Sequence, residues 1–156
     1  DLHSDLKSAS VRGLMDHVSM NLTARDNYGG GSVVDGGGIG SLRAEGLVET
    51  EIQTYGALSR VSVGRTGMDG GSSIETLDSG SGHLGSLATG GLIFGDLKLA
   101  GNVGSISTGG PLATTPVAPL LSPIDGSLVD YLFTGPGGAP TGGTLAVDGT
   151  VLGIIS

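Results

Sequence analysis

A short motif recurs along this chain and limits how the chain can fold. It consists of an apolar residue, Gly-Ser, a second apolar residue and a closing Gly a few positions later. Copies begin at Ile39, Leu84 and Val103, and a looser copy with Ser-Arg in place of Gly-Ser begins at Leu58. Repetition with a period of about 20 residues is typical of solenoids, in which each repeat buries its apolar face only against its neighbours. The repeat therefore constrains the architecture more than any single residue does.

A second series, of Gly followed by an apolar residue and by another apolar residue six or seven positions after the Gly, has the same period. Its members are Gly13-Leu14 with Met20, Gly46-Leu47 with Ile52, Gly67-Met68 with Ile74, and Gly91-Leu92 with Leu97. Within the repeats apolar residues alternate with polar ones over three to five positions, which indicates short strands rather than helices. Stacking the repeats predicts one row of Leu47, Met68 and Leu92 and another of Leu42, Val61, Leu87 and Ile106.

These patterns predict an all-β fold, a parallel β-helix (β-solenoid) of about four coils over residues 13–110. Residues 1–12 are predicted as an N-terminal cap or arm, and the sequence leaves open whether this part is a short helix or a further strand. Glycine suits the corners of such coils because it adopts positive φ without a steric penalty.

The pattern stops after Gly110, and residues 111–156 are predicted as a Pro/Gly-rich C-terminal arm. Four prolines fall within 13 residues here, and a proline cannot donate to a strand ladder. Residues 128–133 are predicted as one strand. Residues 144–152 are predicted as a terminal hairpin, because Asp148-Gly149 fits a type I′ turn.

Composition decides between order and disorder and excludes several partners. Gly accounts for 32 of 156 residues, which is also typical of low-complexity chains, but 37% of residues are hydrophobic and recur in register. A net charge of −8 and 3% aromatic residues argue against nucleic acid. There is no cysteine and no run of 18 apolar residues, so neither disulfides nor a membrane helix are predicted.

The glycine-rich units 46–64 and 91–110 resemble repeats of large, secreted bacterial surface proteins that are predicted to form parallel β-helices. The resemblance covers residues 11–110 and is to a class of repeats that recurs in adhesins, fibres and lyases. Together with the acidic, cysteine-free composition, it implies an extracellular or cell-surface location.

Calcium is the cofactor that the sequence leaves open, although none is predicted. The Gly-rich stretch 36–38 is superficially similar to the nonapeptide of calcium β-rolls, but it lacks the spaced Asp of that repeat. Asp26, Asp35, Asp69 and Asp78 lie in predicted loops and could converge on one side of the solenoid. The alternative is that these are solvated turn aspartates.

No catalytic residues are predicted, and the chain is not expected to be an enzyme. A glycosidase or lyase needs two positioned carboxylates, or a carboxylate with a base. Glu49 and Glu51 are expected to point the same way on a strand, with Glu75 and Asp96 on the same face, but a solvated acidic face explains them equally well. The histidines, His3, His17 and His83, are scattered.

The ends of the repeat array suggest self-assembly, because open strand edges are templates for pairing with another chain. The apolar end of the C-terminal arm supplies the candidate self-assembly residues. They are Leu145, Val147, Val151, Leu152, Ile154 and Ile155. The expected partner is another copy of the chain, joined head to tail.

Three functions are therefore weighed. The first is a non-enzymatic structural subunit of an extracellular fibre, filament or surface layer, assembled through stacked coils and the C-terminal arm. The second is an adhesin or viral fibre module that recognises a glycan or protein receptor through loops 26–38 and 78–83. The third is a polysaccharide-acting enzyme, which would require Glu49 or Glu51 for turnover.

Overall fold

The computed structural model describes residues 5–22, 37–108, 120–121, 129–134 and 140–149, with only the backbone of 120–121, 129–134 and 140–142. Within these ranges the chain is all-β and has no helix. The strands are β1 Leu6–Ser10, β2 Leu14–Asp16, β3 Ser19–Leu22, β4 Ile39–Val48, β5 Glu51–Thr54, β6 Leu58–Met68, β7 Ser73–Thr76, β8 Leu84–Thr89, β9 Asp96–Leu99, β10 Val103–Thr108, β11 Leu120–Leu121, β12 Val129–Thr134 and β13 Pro140–Val147. The described residues include no helix long and apolar enough to cross a membrane.

From β4 to β10 the chain alternates between two sheets. Sheet A has the order β1-β4-β6-β8-β10, with β2 also paired to β4, and sheet B has the order β11-β12-β13-β9-β7-β5-β3 among the described strands. Each strand from β4 to β8 pairs in parallel with the strand after next. The expectation of an all-β fold with parallel strands is therefore confirmed. We call one strand of sheet A with the following strand of sheet B a layer.

Side chains of successive layers lie in rows, and one predicted row is confirmed throughout. Leu42 pairs with Val61, Val61 with Leu87, and Leu87 with Ile106. In sheet B, the later apolar residues of the glycine series pair with one another. They are, in order of pairing, Met20, Ile52, Ile74 and Leu97, and the row continues to Leu145. Full burial of each such side chain contributes about 1.5–3 kcal/mol, so these rows supply the core.

The predicted row of Leu47, Met68 and Leu92 is wrong at its last position. In the glycine series, the first apolar residue, Leu14, is also displaced by one position. Leu47 pairs with Met68 as expected, but Met68 bridges to Ile93 rather than Leu92. Val63 pairs with Thr89, and from this pair the chain takes five positions to reach Met68 in β6 but four to reach Ile93 after β8, so Gly67 and Gly91 are not equivalent. In the bend after β8 the Thr89 hydroxyl donates to the Gly91 carbonyl at 2.6 Å. At the N-terminal end, Met15 pairs with Leu47 and is buried, whereas Leu14 is 46% exposed.

The glycine of the recurring motif is required by close contact between layers. A Cβ at Gly40 would lie 2.6 Å from the carbonyl oxygen of Lys7. At Gly85 and Gly104 it would lie still closer to the carbonyl oxygens of Ser59 and Gly85. Backbone oxygens cannot move away as a flexible side chain can, so a residue without a Cβ is required at Gly40, Gly85 and Gly104, whereas the looser copy has Ser59 at this position.

The N-terminal segment and the C-terminal arm both add strands to the sheets. Residues 6–10, for which the sequence left helix and strand open, form β1 beside β4. Residues 129–134 form β12, one position beyond the predicted strand. β13 pairs in parallel with β9 and antiparallel with β12. Both edges of 144–147 are thus occupied, so the predicted hairpin with 150–152 along this strand is wrong; residues 150–152 lie outside the described ranges.

Candidate functional site

The turns that lead from sheet A to sheet B stack on one another and bring four titratable side chains together. They are Asp16, His17, Glu49 and Asp69. His17 and Glu49 directly follow the paired residues Asp16 and Val48, and both have positive φ, 53° and 43°. Such a conformation costs about 1–3 kcal/mol in a residue other than Gly, so the stacked turns hold these two positions against local strain.

His17 lies between two carboxylates. Its Nδ1 is 2.5 Å from Oδ1 of Asp16, and its Nε2 is 2.5 Å from Oε2 of Glu49. The hydrogen bond to Asp16, followed by the charge of Glu49, raises the pKa of the His17 imidazole. Both nitrogens can donate only in the protonated ring, so the arrangement favours the imidazolium. The side chains are well exposed, so solvent screens the ion pairs and they contribute little to stability.

A buried polar network lies beneath this cluster and organises the turn 69–72. The Thr50 hydroxyl donates to the Met15 carbonyl at 2.8 Å, and the Thr50 N–H donates to the Ser72 hydroxyl at 3.1 Å. Ser72 in turn donates to Oδ1 of Asp69 at 2.6 Å, and this oxygen also accepts from the N–H groups of Glu49 and Gly71. Asp69 therefore acts as a structural acceptor for its own turn.

The candidate contact loop 78–83 is also held by its own carboxylate. Oδ2 of Asp78 accepts from the N–H and the hydroxyl of Ser81, both at 2.7 Å, and the Ser81 hydrogen bond lowers the pKa of Asp78. The Gly82 carbonyl accepts from the buried Thr76 hydroxyl at 2.7 Å. The loop is thus fixed from both ends, with residues 79 and 80 exposed at its tip.

Of the four aspartates considered for calcium, the two that the structure describes lie in different sets of turns. Asp69 lies in a turn from sheet A to sheet B, and Asp78 lies in a turn from sheet B to sheet A. Asp26 and Asp35 fall outside the described ranges. Over the described part of the chain, no group of three or more His, Asp or Glu is placed to hold a metal ion.

The carboxylates considered for catalysis are divided between different rows. Glu49 is in a bend rather than on a strand, so the expectation that it points with Glu51 along one strand is wrong. Glu51 and Asp96 share a row with Ser73 between them, whereas Glu75 lies in the neighbouring row. Asp96 accepts hydrogen bonds from the hydroxyl and N–H of Thr144, at 2.6 and 3.3 Å, and so ties β9 to β13. The contact of Asp96 with Thr144 is therefore structural.

The row that contains Glu75 forms a ladder of side-chain hydrogen bonds on the outer face of sheet B. Nδ2 of Asn21 donates to Oε1 of Gln53 at 3.0 Å, and Nε2 of Gln53 donates to Oε2 of Glu75 at 2.7 Å. Lys98 is the next residue in register. The ladder links three layers from outside, as the apolar rows link them from inside.

Two shallow grooves lie on the outside of sheet A, each of about 520 Å³. The first is lined by Asp5, Lys7, Ser59 and Ser81 among others, and Oδ1 of Asp5 accepts from the Gly38 N–H at 2.9 Å. In the second groove Oε1 of Glu45 accepts from the Arg65 N–H at 3.2 Å. In both grooves a carboxylate is used to hold a neighbouring layer.

Sequence reasoning placed the self-assembly surface at the C-terminus, but the structure exposes apolar surface at the opposite end. Leu145 and Val147 are completely buried in the core of the same chain. The other candidates, Val151, Leu152, Ile154 and Ile155, lie outside the described residues. In the first layer Met15 is buried, whereas five other apolar residues are only partly buried against the core. They are Leu6, Ala9, Val18, Met20 and Leu22.

This exposed end could have been found from the sequence only by knowing that β1 to β3 form the outermost layer. Their apolar residues follow the same pattern as those of the interior layers. Comparison of the chain with known proteins gives no independent guide, because no family model, curated protein or solved structure matches it.

Proposed function

We propose that this chain is a non-enzymatic structural subunit of an extracellular fibre, filament or surface layer. Its body would be a parallel β-solenoid of about four coils, formed by the layers from β1 to β9. The observation that carries the proposal is the regular stacking of like residues, with Leu42, Val61, Leu87 and Ile106 in one unbroken row. A rod of this kind gains stability from nearest-neighbour contacts between layers and can present repeated surfaces along its length.

The polar groups support a structural role because they hold the layers and turns in place. Asp69 and Asp78 accept hydrogen bonds within their own turns. Asp96 binds Thr144 of β13, and Gln53 binds Glu75 of the next layer. These side chains therefore rigidify the fold, which is the property that a fibre or surface layer requires.

The exchanged C-terminal arm that the sequence suggested stays a prediction and is not part of this proposal. An exchanged C-terminal arm would insert Leu145 and Val147 into another subunit, but both are buried in their own chain, where β13 lies beside β9. The proposal keeps assembly between identical chains as the function, with β13 completing sheet B within one chain.

Electron microscopy of the purified chain over a range of concentrations, together with its molar mass in solution, tests this proposal. Regular filaments, sheets or defined oligomers that form as concentration rises are the expected result. A monomer that persists at every concentration, with no ordered particles in the images, would contradict a self-assembling structural role.

A receptor-binding module is the second candidate, and the conformation of loop 78–83 favours it. The two 2.7 Å hydrogen bonds from Ser81 to Asp78 hold the exposed tip in one shape before any ligand binds, and such pre-organisation strengthens binding. The companion loop 26–38 lies mostly outside the described residues. A glycan array probed with the chain, and with Asp78→Ala as control, tests this role; equal signals from both would argue against it.

A further inference from the structure

The two ends of the described fold differ in how well their core is covered. At the N-terminal end, β1, β2 and β3 form the first layer, and none of them has a second strand partner beyond β4 and β5 in the described sheets. Met15 of this layer is buried, but Leu6, Ala9, Met20 and Leu22 are only partly buried. The residues paired with them in the next layer, Ile39, Leu42, Ile52 and Thr54, are at most 1% exposed.

The C-terminal end is closed by comparison. Val103 and Ile106 of β10 are completely buried, as are Leu145 and Val147 of β13. Sheet B continues past β13 with β12 and β11, which run antiparallel and so end the parallel progression. In the described strands, sheet A stops at β10. The two sheets are therefore flush at the N-terminal end and unequal at the C-terminal end.

We propose that the N-terminal end pairs with the N-terminal end of a second copy of this chain, around a two-fold axis perpendicular to the stacking direction. This inference rests on the proposed self-assembling function and identifies the surface that performs it. The contact is isologous, meaning that each copy contributes the same patch. With this axis also perpendicular to the strands, the edge strands of the two copies run antiparallel where they meet.

A second copy fits this surface because the partner must supply two things at the spacing of a β-layer. It must offer strand edges with backbone donors and acceptors, and it must offer apolar side chains opposite Leu6, Ala9 and Met20. The same end of another copy presents both, since its own half-buried residues are spaced identically. Pairing would bury both apolar end faces and both sets of edges, which otherwise favour uncontrolled aggregation.

Charge also favours this contact between two copies. The chain has a net charge of −8, but the described residues 5–22 contain two acidic residues and two basic ones, besides His17. They are Asp5, Asp16, Lys7 and Arg12, and all four are exposed. The excess negative charge therefore lies elsewhere in the chain. The described residues of two N-terminal ends can therefore approach without net charge repulsion.

Pairing of N-terminal ends differs from the head-to-tail contact expected from the sequence. A head-to-tail contact needs an open C-terminal end of matching shape, whereas Ile106 and Val147 are already covered and sheet B extends beyond sheet A. Such a pair closes on itself, so a filament or layer would use it together with a second contact.

Single-cysteine variants test the proposal cleanly because the chain has no native cysteine. Ser8→Cys places an exposed thiol on β1, and Ser107→Cys places one on β10 at the other end. We expect a flexible bis-maleimide to link Ser8→Cys into a covalent dimer at concentrations where the unlabelled protein has dimeric mass. Ser107→Cys, under the same conditions, should remain uncrosslinked.

A charge placed on the end face provides the second arm. Met20→Lys should raise the dimer dissociation constant at least tenfold, while Leu77→Lys, at an exposed apolar residue away from the end, should leave it unchanged. Circular dichroism of both variants checks that each still folds, and Ala9→Glu replaces Met20→Lys if the latter does not.

Crosslinking that requires Ser8→Cys and Ser107→Cys together would overturn the inference in favour of head-to-tail contact. Oligomers without Ser8 crosslinking would also overturn it while leaving the proposed function intact, and a persistent monomer would contradict both.

Discussion

His17 and Glu49 occupy equivalent positions in successive turns, although 32 residues separate them, and Nε2 of the histidine lies 2.5 Å from Oε2 of the glutamate. The register Asp16 to Val48 brings them together. Both residues have positive φ, so their side chains leave stacked turns in the same direction. The contact joins the first layer to the second at the exposed end of the molecule.

This contact predicts a small dependence of stability on pH. The pKa of His17 is raised above 6.5 by Asp16 and then by Glu49. The contribution of protonated His17 to the free energy of unfolding is therefore fully present below the unfolded-state pKa of 6.5. It is lost as pH rises through the folded-state pKa. His17→Asn removes the titration and keeps a residue that tolerates positive φ. Urea unfolding should show that the variant is less stable than the parent below pH 6.5 and that the difference shrinks at alkaline pH.

If His17→Asn were less stable than the parent by the same amount below pH 6.5 and at alkaline pH, the backbone conformation rather than the imidazolium would be responsible. Titration of the His17 ring by NMR gives the folded-state pKa directly. A ring pKa at or below 6.5 would contradict the arrangement between two carboxylates.

The close approach of layers at Gly85 predicts a large effect from a single methyl group. In Gly85→Ala the new Cβ would overlap the carbonyl oxygen of Ser59, and forcing such contacts costs about 1–3 kcal/mol. Gly13→Ala is the matched control, because a Cβ there meets no atom within 4 Å. It should be neutral or slightly stabilising, by up to about 1 kcal/mol, through the entropy of the unfolded chain.

Chemical denaturation of the two alanine variants measures this difference. Equal stabilities would show that the layers are spaced more widely at Gly85 than the described structure has them.

Much of the pairing register between successive layers could be predicted from the sequence, because it follows the spacing of glycine and apolar residues. The row through Leu42, Val61 and Leu87 follows from copies of one motif. The row through Met68 failed at Leu92, because Met68 lies five residues after Val63 whereas its partner Ile93 lies four residues after Thr89, so Gly67 and Gly91 are not equivalent landmarks. Period alone carries no information about such a bend.

Other features depended on contacts that local patterns do not encode. Asp148-Gly149 is a strong local hairpin signal, yet β13 forms its pairs with β9 and β12. The His17 to Glu49 contact depends on the pairing of β2 with β4, and neither composition nor spacing determines that pairing. The open N-terminal end likewise became visible only once β1 was placed at the edge of sheet A.

Substitution of Thr76 tests how much a buried hydroxyl in a turn contributes to the free energy of unfolding. Its hydroxyl donates to the Gly82 carbonyl at 2.7 Å and accepts from the Ala100 N–H at 3.1 Å. Thr76→Val keeps the shape but removes both hydrogen bonds of the hydroxyl. The Ala100 N–H still donates to the Thr76 carbonyl, and the Gly82 carbonyl still accepts from the Gly101 N–H, so the expected cost is about 0.5–1.5 kcal/mol for each lost hydrogen bond. Thr76→Ser retains the hydroxyl and should lose clearly less. Thermal unfolding of both variants decides the matter, and a valine variant as stable as the serine variant would contradict the assigned role of the hydroxyl.

Leu145 distinguishes packing within one chain from exchange between chains. It is completely buried, between Leu97 of β9 and Tyr131 of β12 in register. Leu145→Ala should lower the free energy of unfolding by about 2–5 kcal/mol. The loss should be independent of protein concentration, because the contact lies within the chain. Ala146→Ser, at the neighbouring half-buried position, should change stability little. If the loss instead appeared only at concentrations where the chains associate, β13 would have to be exchanged between subunits, and the packing of Leu145 beside Leu97 would be intermolecular in solution.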